Sequence, residues 1–385
     1  MTVPGATVLP VAMFFGSFAW SFVYVSLPFH IQEISRVDPA ATLRWTGWIL
    51  GVSPLATVAT SPLWGRWAER GDPKSMYVMV ETLQAAGFLG MAAARTLPEL
   101  FVARLVLGVF GAASTFAFIV AGRAGESGAV RRQVAAVQSA MTVGQVVGPL
   151  AGAVAAAQLG FRTSFVVGAA ILLGCAALVR WGVPAPPEAR PAAAARRSAR
   201  PADVAAVALI VLGGNVQVFF LTAILPRILP DLGVPPGETL HVGGMLIFAS
   251  GVAAALGAVS APRLGELVRE RTLIVALLVA SSLFVALLAP IGSAELYGVV
   301  RFLQVLCVAP VFPIVVARIA QHAGGQAIGL INSARIGAAF LGPVLATTLL
   351  AWTSATAVYA ALALIGIACL PAARVAGGAS RRRTA

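Results

Sequence analysis

The stretch QSAMTVGQVVGPL, residues 138–150, returns later in the chain as NSARIGAAFLGPV, residues 332–344. The identical positions, at one constant offset, are Ser139 and Ser333, Gly148 and Gly342, and Pro149 and Pro343. Similarity that recurs at a fixed spacing is the sequence signature of a repeated structural unit. The chain is therefore predicted to contain two copies of one unit, each carrying a Gly-Pro pair.

Three further pairs of sites support the duplication. They are Leu27-Pro28 with Leu225-Pro226, the Pro-x-x-Gly at residues 62–65 with that at 262–265, and Arg104 with Arg301. The Pro-x-x-Gly stretches each follow an apolar run and precede charged residues, so we interpret both as hinge-side loops.

The segments between these sites are apolar runs of the length that a helix needs to cross hydrocarbon, about 20 residues. The chain is 59% hydrophobic and 11% charged, with a mean hydropathy of +0.90, too little charge to cover the surface of a soluble protein. The runs are too long and too uniformly apolar for barrel strands. Twelve spans are predicted, at residues 8–31, 44–64, 75–94, 98–120, 134–157, 161–182, 202–229, 241–262, 272–291, 295–319, 327–350 and 353–374.

A Pro-, Ala- and Arg-rich stretch divides these spans into six and six. We predict an all-α membrane protein with twelve transmembrane helices in two six-helix pseudo-symmetric halves, residues 1–182 and 202–385, joined by a cytoplasmic linker at 183–201. Parallel repeats with a binding site near the midplane between them are typical of a rocking transporter.

The distribution of the 27 basic residues predicts the orientation. Most of them fall in short segments that share one side if the N-terminus is cytoplasmic, and this bias marks the cytoplasmic side. We expect a multi-pass protein of the cytoplasmic (inner) membrane with both termini in the cytoplasm. The net charge of +13 is scattered over loops, so the lipid bilayer, and not nucleic acid, is the expected partner.

Three motifs carry a resemblance to a known family. They are GRWAERGDPK from Gly65 to Lys74, RLVLGVFGAA from Arg104 to Ala113, and GQVVGPLAG from Gly144 to Gly152. The chain resembles the major facilitator superfamily, and its first half resembles the twelve-helix drug–proton antiporters. Asp72, Pro73 and Leu107 depart from the family pattern, whereas the third motif matches throughout. The resemblance implies export of a small molecule in exchange for protons, with Arg104 linked to substrate and proton coupling.

Several residues are candidates for the conformational hinge and gate. Gly144, Gly148 and Gly152 share one helix face, where small residues let another helix approach closely, and Pro149 bends that helix. The remaining candidates are Gly65, Glu69, Arg70, Gly342 and Pro343. The alternatives are ordinary small-residue packing for the glycines and a solvated loop for Glu69 and Arg70.

Charged residues inside spans are the main candidates for function, because burying a charge in a bilayer is costly. Arg104, Arg301 and Arg335 are such arginines. Arg335 has no counterpart in the fifth span, and it predicts a substrate that carries an anionic group. The alternative is a structural partner for a carbonyl or another span. Glu81 is the carboxylate clearly inside a span, so proton coupling is assigned to Glu81 and Arg104, with an ion pair to a nearby arginine as the alternative.

Polar and aromatic residues of the predicted cavity-lining spans complete the candidate substrate site. Besides Arg104, Arg301 and Arg335 they are Trp20, Tyr24, Gln145, Asn215, Gln217, Gln304 and Asn332. The alternative is that they belong to the bundle core. Without a phosphate-binding loop or a Cys/His cluster in the sequence, no enzymatic activity, cofactor or metal is expected.

We therefore predict a monomeric proton-coupled exporter of a small amphipathic or anionic organic compound by rocker-switch alternating access. One alternative is an uptake carrier for an organic anion or nutrient. Another is a membrane receptor without transport activity, or a lipid scramblase.

Overall fold

The computed structural model describes residues 7–122, 127–184, 201–320 and 325–377 of the 385 residues. The regular structure of these ranges is helical. The helices are α1 (Val8–Tyr24), α2 (Leu27–Ile34), α3 (Pro39–Arg70), α4 (Pro73–Ala93), α5 (Leu97–Val109), α6 (Ala113–Gly122), α7 (Ser127–Leu159), α8 (Phe161–Gly182), α9 (Pro201–Phe219), α10 (Leu221–Asp231), α11 (Thr239–Leu267), α12 (Glu270–Leu287), α13 (Ala294–Val308), α14 (Val311–Ala320), α15 (Gly325–Trp352), α16 (Ala355–Ala368) and α17 (Leu370–Gly377).

Eleven segments of the described residues are long and apolar enough to cross a membrane. The predicted second span lies in α3, whose 32 residues are also long enough, at about 1.5 Å per residue. Ser, Thr and Pro residues in its middle lower its hydropathy below that of the other eleven. The predicted fold class, an all-α membrane protein of twelve helices in two halves, is confirmed.

Four of the spans are interrupted near their middle. The first span is α1 and α2, the fourth is α5 and α6, the seventh is α9 and α10, and the tenth is α13 and α14. Pro28 contributes to the first interruption because its ring nitrogen cannot donate to the carbonyl of Tyr24. The interruptions occupy equivalent spans of the two halves, as a duplicated unit requires.

The expectation that Pro62–Gly65 and Pro262–Gly265 form loops is wrong. Helix α3 continues to Arg70 and α11 continues to Leu267, so both stretches are helical. A proline within a helix loses one backbone bond but does not have to end it, and here the following residues complete another turn or more. Most of the predicted linker, residues 185–200, lies outside the described residues, as does the chain after residue 377.

Contacts between Cα atoms group the chain into two compact units. The first unit consists of Met1–Val37, Trp48–Ala192 and Gly243–Phe248, and the second of Asp38–Gly47, Ala193–Val242 and Ala249–Ala385. Each unit has its own apolar core. Tyr77, Phe116 and Val179 belong to the core of the first unit, and Ile210, Leu278 and Val315 to that of the second.

Candidate functional site

In the first unit, Arg104 lies in a buried position formed by α1, α3 and α5. Only 3% of Arg104 is exposed, and its Nε and Nη2 donate to the carbonyls of Ile49 and Leu50 at 3.2 and 3.3 Å. Its guanidinium lies 5.6 Å from the ring centroid of Trp20. Two backbone carbonyls and an aromatic face thus stabilise the charge without a carboxylate.

Tyr24 lies in electrostatic contact with Arg104 and carries a free polar group. Among the described residues its buried hydroxyl has no hydrogen-bond partner. Trp20, one turn earlier, is held in place, because its Nε1 donates to Oε1 of Gln84 at 2.6 Å. The amide nitrogen of Gln84 in turn donates to the carbonyl of Phe110 at 2.9 Å. The structure therefore brings three predicted residues together, Trp20, Tyr24 and Arg104, and adds Gln84, which the sequence analysis missed.

A row of side-chain donors on α3 satisfies the carbonyls at the interruption between α5 and α6. Thr57 Oγ1 donates to Gly108 at 2.9 Å, Thr60 Oγ1 to Val109 at 3.2 Å, and Trp64 Nε1 to Val109 at 2.7 Å. Freed backbone groups inside a membrane are tolerated where such donors replace the helical bonds. The threonines that lower the hydropathy of α3 thus have a structural role. Neither the hydrophobic periodicity nor the hydropathy of the sequence indicated this role.

In the second unit, Arg301 is 1% exposed and lies against the interruption between α9 and α10. Its Nη1 donates to the carbonyl of Gln217 at 2.7 Å and its Nη2 to that of Val218 at 2.6 Å. Nη1 also donates to Oε1 of Gln304, and the guanidinium lies 4.9 Å from the Phe220 ring centroid. Arg301 therefore repeats the arrangement of Arg104, with two successive carbonyls and one aromatic face.

Gln217 and Gln304 belong to one closed hydrogen-bond network with Ser281 and Ser282. Ser281 Oγ donates to Gln217 Oε1 at 2.6 Å, and Gln304 Nε2 donates to Ser281 Oγ at 2.8 Å. Gln217 Nε2 donates to Ser282 Oγ at 3.1 Å and to the carbonyl of Leu362 at 2.9 Å. Both glutamines are fully buried. The network bonds the polar groups of both glutamines, so in this conformation they link α9, α12, α13 and α16, and their predicted contact with substrate stays a prediction.

Arg335 is in a different environment from the other two arginines. It is partly exposed, and its Nε and Nη2 donate to Oδ1 of Asn332 at 3.4 and 3.3 Å. Its guanidinium lies 5.4 Å from the ring centroid of Phe312. Within the described part of the chain, no carboxylate pairs with it. Arg335 is thus a cation inside a span that has N–H donors free for a further hydrogen bond and no acidic partner among the described residues.

A small cavity of about 30 Å³ lies between α9 and the α13–α14 interruption, next to this arginine. The cavity is lined by Phe312, whose ring lies under the Arg335 guanidinium, and by Asn215. Asn215 supplies the one side-chain amide in an otherwise apolar wall. Its volume suits water and not an organic molecule. Gln145, another predicted contact, is an exposed side chain of α7.

Glu81 lies on α4 with 2% of its surface exposed, and it packs beside Gly16 of α1. Within the described ranges, no arginine pairs with Glu81. The alternative prediction, an ion pair between Glu81 and a nearby arginine, therefore does not hold for these ranges. Its Oε2 and the hydroxyl of Tyr77, one turn earlier, lie within reach of each other but make no hydrogen bond of good geometry, and neither has another partner in the same ranges.

The glycines of α7 lie directly against the backbone of α1. A Cβ added at Gly144 would lie 2.4 Å from the Phe14 carbonyl oxygen, and one at Gly152 would lie 1.8 Å from that of Phe22. Gly148 is equally confined. In the second unit, a Cβ at Gly342 of α15 would lie 3.2 Å from the Val216 oxygen. The close helix approach exists in both units, and α7 and α15 continue through Pro149 and Pro343.

The remaining gate candidates lie near the end of α3. A Cβ at Gly65 would meet no atom within 4 Å, so Gly65 is not required for packing. The side chains of Glu69 and Arg70 lie outside the described part of the structure. Lys74, the last residue of the same GRWAERGDPK motif, donates through Nζ to the carbonyl of Val183 at the end of α8.

These features define a helical membrane transporter built from two similar units. The family model of the Major Facilitator Superfamily matches residues 10–235, more than half of the chain. The chain therefore belongs to the major facilitator superfamily of transporters.

Relatives and solved structures agree with this assignment. The multidrug resistance protein MdtG of Citrobacter koseri is 27% identical over 85% of this chain and 82% of its own length. The uncharacterized MFS-type transporter YuxJ of Bacillus subtilis is 24% identical over 87% of each chain. A structure of the nucleoside transporter NupG, 15% identical, superposes with a TM-score of 0.77 over 97% of this chain and 99% of its own. At that identity the structural match supports the fold.

Proposed function

We propose that this transporter is a secondary active exporter of a small amphipathic or anionic organic compound, driven by proton entry through rocker-switch alternating access. The observation that carries the anionic class is Arg335, an arginine inside a span that contacts an aromatic ring and an amide but no described carboxylate. An unpaired charge at this depth is costly, and an anionic ligand offsets that cost. The similarity to MdtG, a multidrug resistance protein, supports export.

In this proposal the residues have separate tasks. Arg335, Asn332 and Asn215 contact the substrate in the second unit. Trp20, Tyr24 and Arg104 contact it in the first unit, where Tyr24 offers an unpaired hydroxyl. Gln145 of α7 is a further contact. Glu81 and Arg104 couple transport to protons.

The gate consists of the close glycine contacts at Gly144, Gly148, Gly152 and Gly342 with their neighbouring prolines. Glu69 and Arg70 contribute to it at the end of α3. The protein acts as a monomer in the cytoplasmic (inner) membrane, with both termini and the 183–201 linker in the cytoplasm.

An uptake carrier for an organic anion is a second candidate, because Arg335 serves inward and outward transport equally. A relative named for multidrug resistance favours export, whereas a structural relative described as a human organic anion transporter, MFSD10, matches at 14% identity, where likeness supports the fold alone. Direction relative to the proton gradient separates the two.

The test begins with ligand class. Purified protein is screened by thermal unfolding against aromatic carboxylates, such as benzoate, and aromatic cations, such as ethidium. A stabilising carboxylate is then followed in proteoliposomes by counterflow and by transport with an imposed pH gradient. Export predicts that the compound moves opposite to the protons. Stabilisation by cations and by no carboxylate would overturn the anionic class, and movement in the same direction as the protons would favour the uptake carrier.

A further inference from the structure

The buried carboxyl of Glu81 lacks the partners that a charged group inside a membrane bundle requires. Only 2% of the residue is exposed, and its Oε2 makes no hydrogen bond of good geometry among the described residues. The one polar side chain within reach of it is the neutral hydroxyl of Tyr77. Every other described Asp or Glu is exposed or half-buried. An isolated carboxylate in such surroundings is strongly disfavoured, and the neutral acid is the form that they accept.

The groups that face Glu81 carry no positive charge. Its titratable neighbours are Tyr77 on its own helix α4 and Cys175 on α8. Cys175 Sγ lies 3.3 Å from the carbonyl oxygen of Ala12, to which it donates. Tyr24 is the one titratable residue of α1. It contacts Arg104, the one basic residue of α5, while α6 has no titratable residue.

Helix α1 closes this position from one side through a glycine. A Cβ added at Gly16 would lie 3.2 Å from Oε1 of Glu81, so the carboxyl rests against the α1 backbone with no room for water between them. Four residues further along, Trp20 ties α1 to α4 through its bond to Gln84. The same helix, α1, packs on the glycine face of α7, which the proposed gate uses.

We propose that Glu81 carries the coupling proton, that it holds this proton in the conformation seen here, and that α1 seals it through Gly16. Release requires α1 to move away from α4 so that water reaches the carboxyl. The Oε–H bond then breaks, the proton passes to water, and the carboxylate takes up a proton from water before α1 closes again. The inference rests on the proposed function for its transport role but not for its protonation state.

The protonation state is tested first, without any substrate. The infrared spectrum of the purified protein at pH 7 should contain the carbonyl band of a protonated carboxylic acid, and Glu81→Gln should lose it. Gly16→Ala places a methyl group against Oε1 and hinders solvation of the carboxylate, so the band should persist to higher pH than in the wild type. The matched control is Gly174→Ala on α8, where a Cβ meets no atom within 4 Å.

The transport role is tested with benzoate in proteoliposomes. After subtraction of the uptake by protein-free liposomes, which neutral benzoic acid enters unaided, wild-type protein should show a further movement of benzoate in response to a pH gradient. Glu81→Gln should keep counterflow and lose that protein-dependent response. If Glu81→Gln does not fold, Glu81→Asp replaces it in the infrared test. Aspartate keeps a carboxylic acid at this position, and its carbonyl band should lie at a different frequency from that of the wild type. Absence of the band at pH 7, its persistence in Glu81→Gln, or gradient-driven transport by that variant would overturn the inference. If wild-type protein fails to move benzoate but shows the band, the proposed substrate class fails and the protonated Glu81 stands.

Discussion

Lys74 and Arg162 cap opposite ends of the same antiparallel helix pair. Lys74, at the start of α4, donates to the carbonyl of Val183 at the end of α8. Arg162, at the start of α8, donates through Nη2 to the carbonyl of Ala94 at the end of α4, at 2.9 Å. Each cation thus lies at the negative end of the neighbouring helix dipole, where a positive charge is stabilising. The two contacts fix the register of α4 against α8.

Removing either cap should destabilise the first unit. Lys74→Ala and Arg162→Ala should each lower the free energy of unfolding by about 1 kcal/mol, because each leaves a helix end without its charged donor. The two contacts lie at opposite ends of a 22-residue helix, about 33 Å apart, so the double variant should show the sum. Thermal unfolding of purified protein measures both. Arg66→Ala, an exposed arginine of α3, is the control, and an equal loss there would contradict the capping role.

Asp72 provides a pH-dependent cap at the start of α4. Its carboxylate accepts from the backbone nitrogens of Lys74 and Ser75 at 3.1 and 3.0 Å. Partial burial acts to raise the pKa of Asp72, but the hydrogen bonds from Ser75 and Lys74 outweigh it and hold the pKa below its usual value of 3.8. A lowered pKa in the folded state means that the charge on Asp72 stabilises the protein above its usual pKa of 3.8, and that this contribution of the charge is lost as pH falls through the lowered pKa.

Asp72→Ala should therefore cost about 1 kcal/mol at neutral pH and less in acid, where the charge is lost in the wild type as well. Asp72→Asn keeps an oxygen acceptor but no charge, so it should cost less than Asp72→Ala and its stability should not carry the same pH dependence. Thermal unfolding at neutral and acidic pH measures the difference. The control is Glu238→Gln, at the start of α11, where the side chain makes no cap bond. A loss for Asp72→Ala that does not shrink in acid would show that the carboxylate charge is not involved.

The sequence predicted the parts of this fold that depend on composition and spacing. The glycines of α7 recur every fourth residue, which places them on one helix face, and the structure puts that face against α1. Neighbours that are distant in sequence were not predictable. Nothing near Gln217 indicates that it bonds to Ser281, and nothing near Thr57 indicates a bond to the carbonyl of Gly108. Asp72, which departs from the family motif, caps α4, a local role that a motif comparison does not show.

The glycine face of α7 gives a sharp prediction about transport. A Cβ at Gly148 would lie 2.7 Å from Cβ of Ser21 and 2.8 Å from the carbonyl oxygen of Phe18. Gly148→Leu should abolish counterflow, because α1 cannot keep its position against a larger residue, and overpacking typically costs about 1–3 kcal/mol. Gly174→Leu, on an exposed face of α8 with no atom within 4 Å, should transport normally. Normal counterflow by Gly148→Leu would remove the close contact from the mechanism.

Variants of Arg335 distinguish a role in substrate binding from a purely structural role. If its guanidinium holds a carboxylate, Arg335→Ala should weaken binding of an aromatic carboxylate by roughly tenfold to a hundredfold, the value of a hydrogen bond to a charged group. Arg335→Lys should retain part of the affinity, since lysine keeps the charge but not the planar pair of donors or its stacking on Phe312. Isothermal titration with purified, monodisperse variants measures both. The control is Arg227→Ala in the same unit. Arg227 already pairs with Asp231 at 2.8 Å, so its replacement should leave the affinity for the carboxylate unchanged. A well-folded Arg335→Ala protein that binds carboxylates as tightly as the wild type would place the anion site elsewhere, and a gain in affinity for ethidium in that variant would show that Arg335 excludes cations.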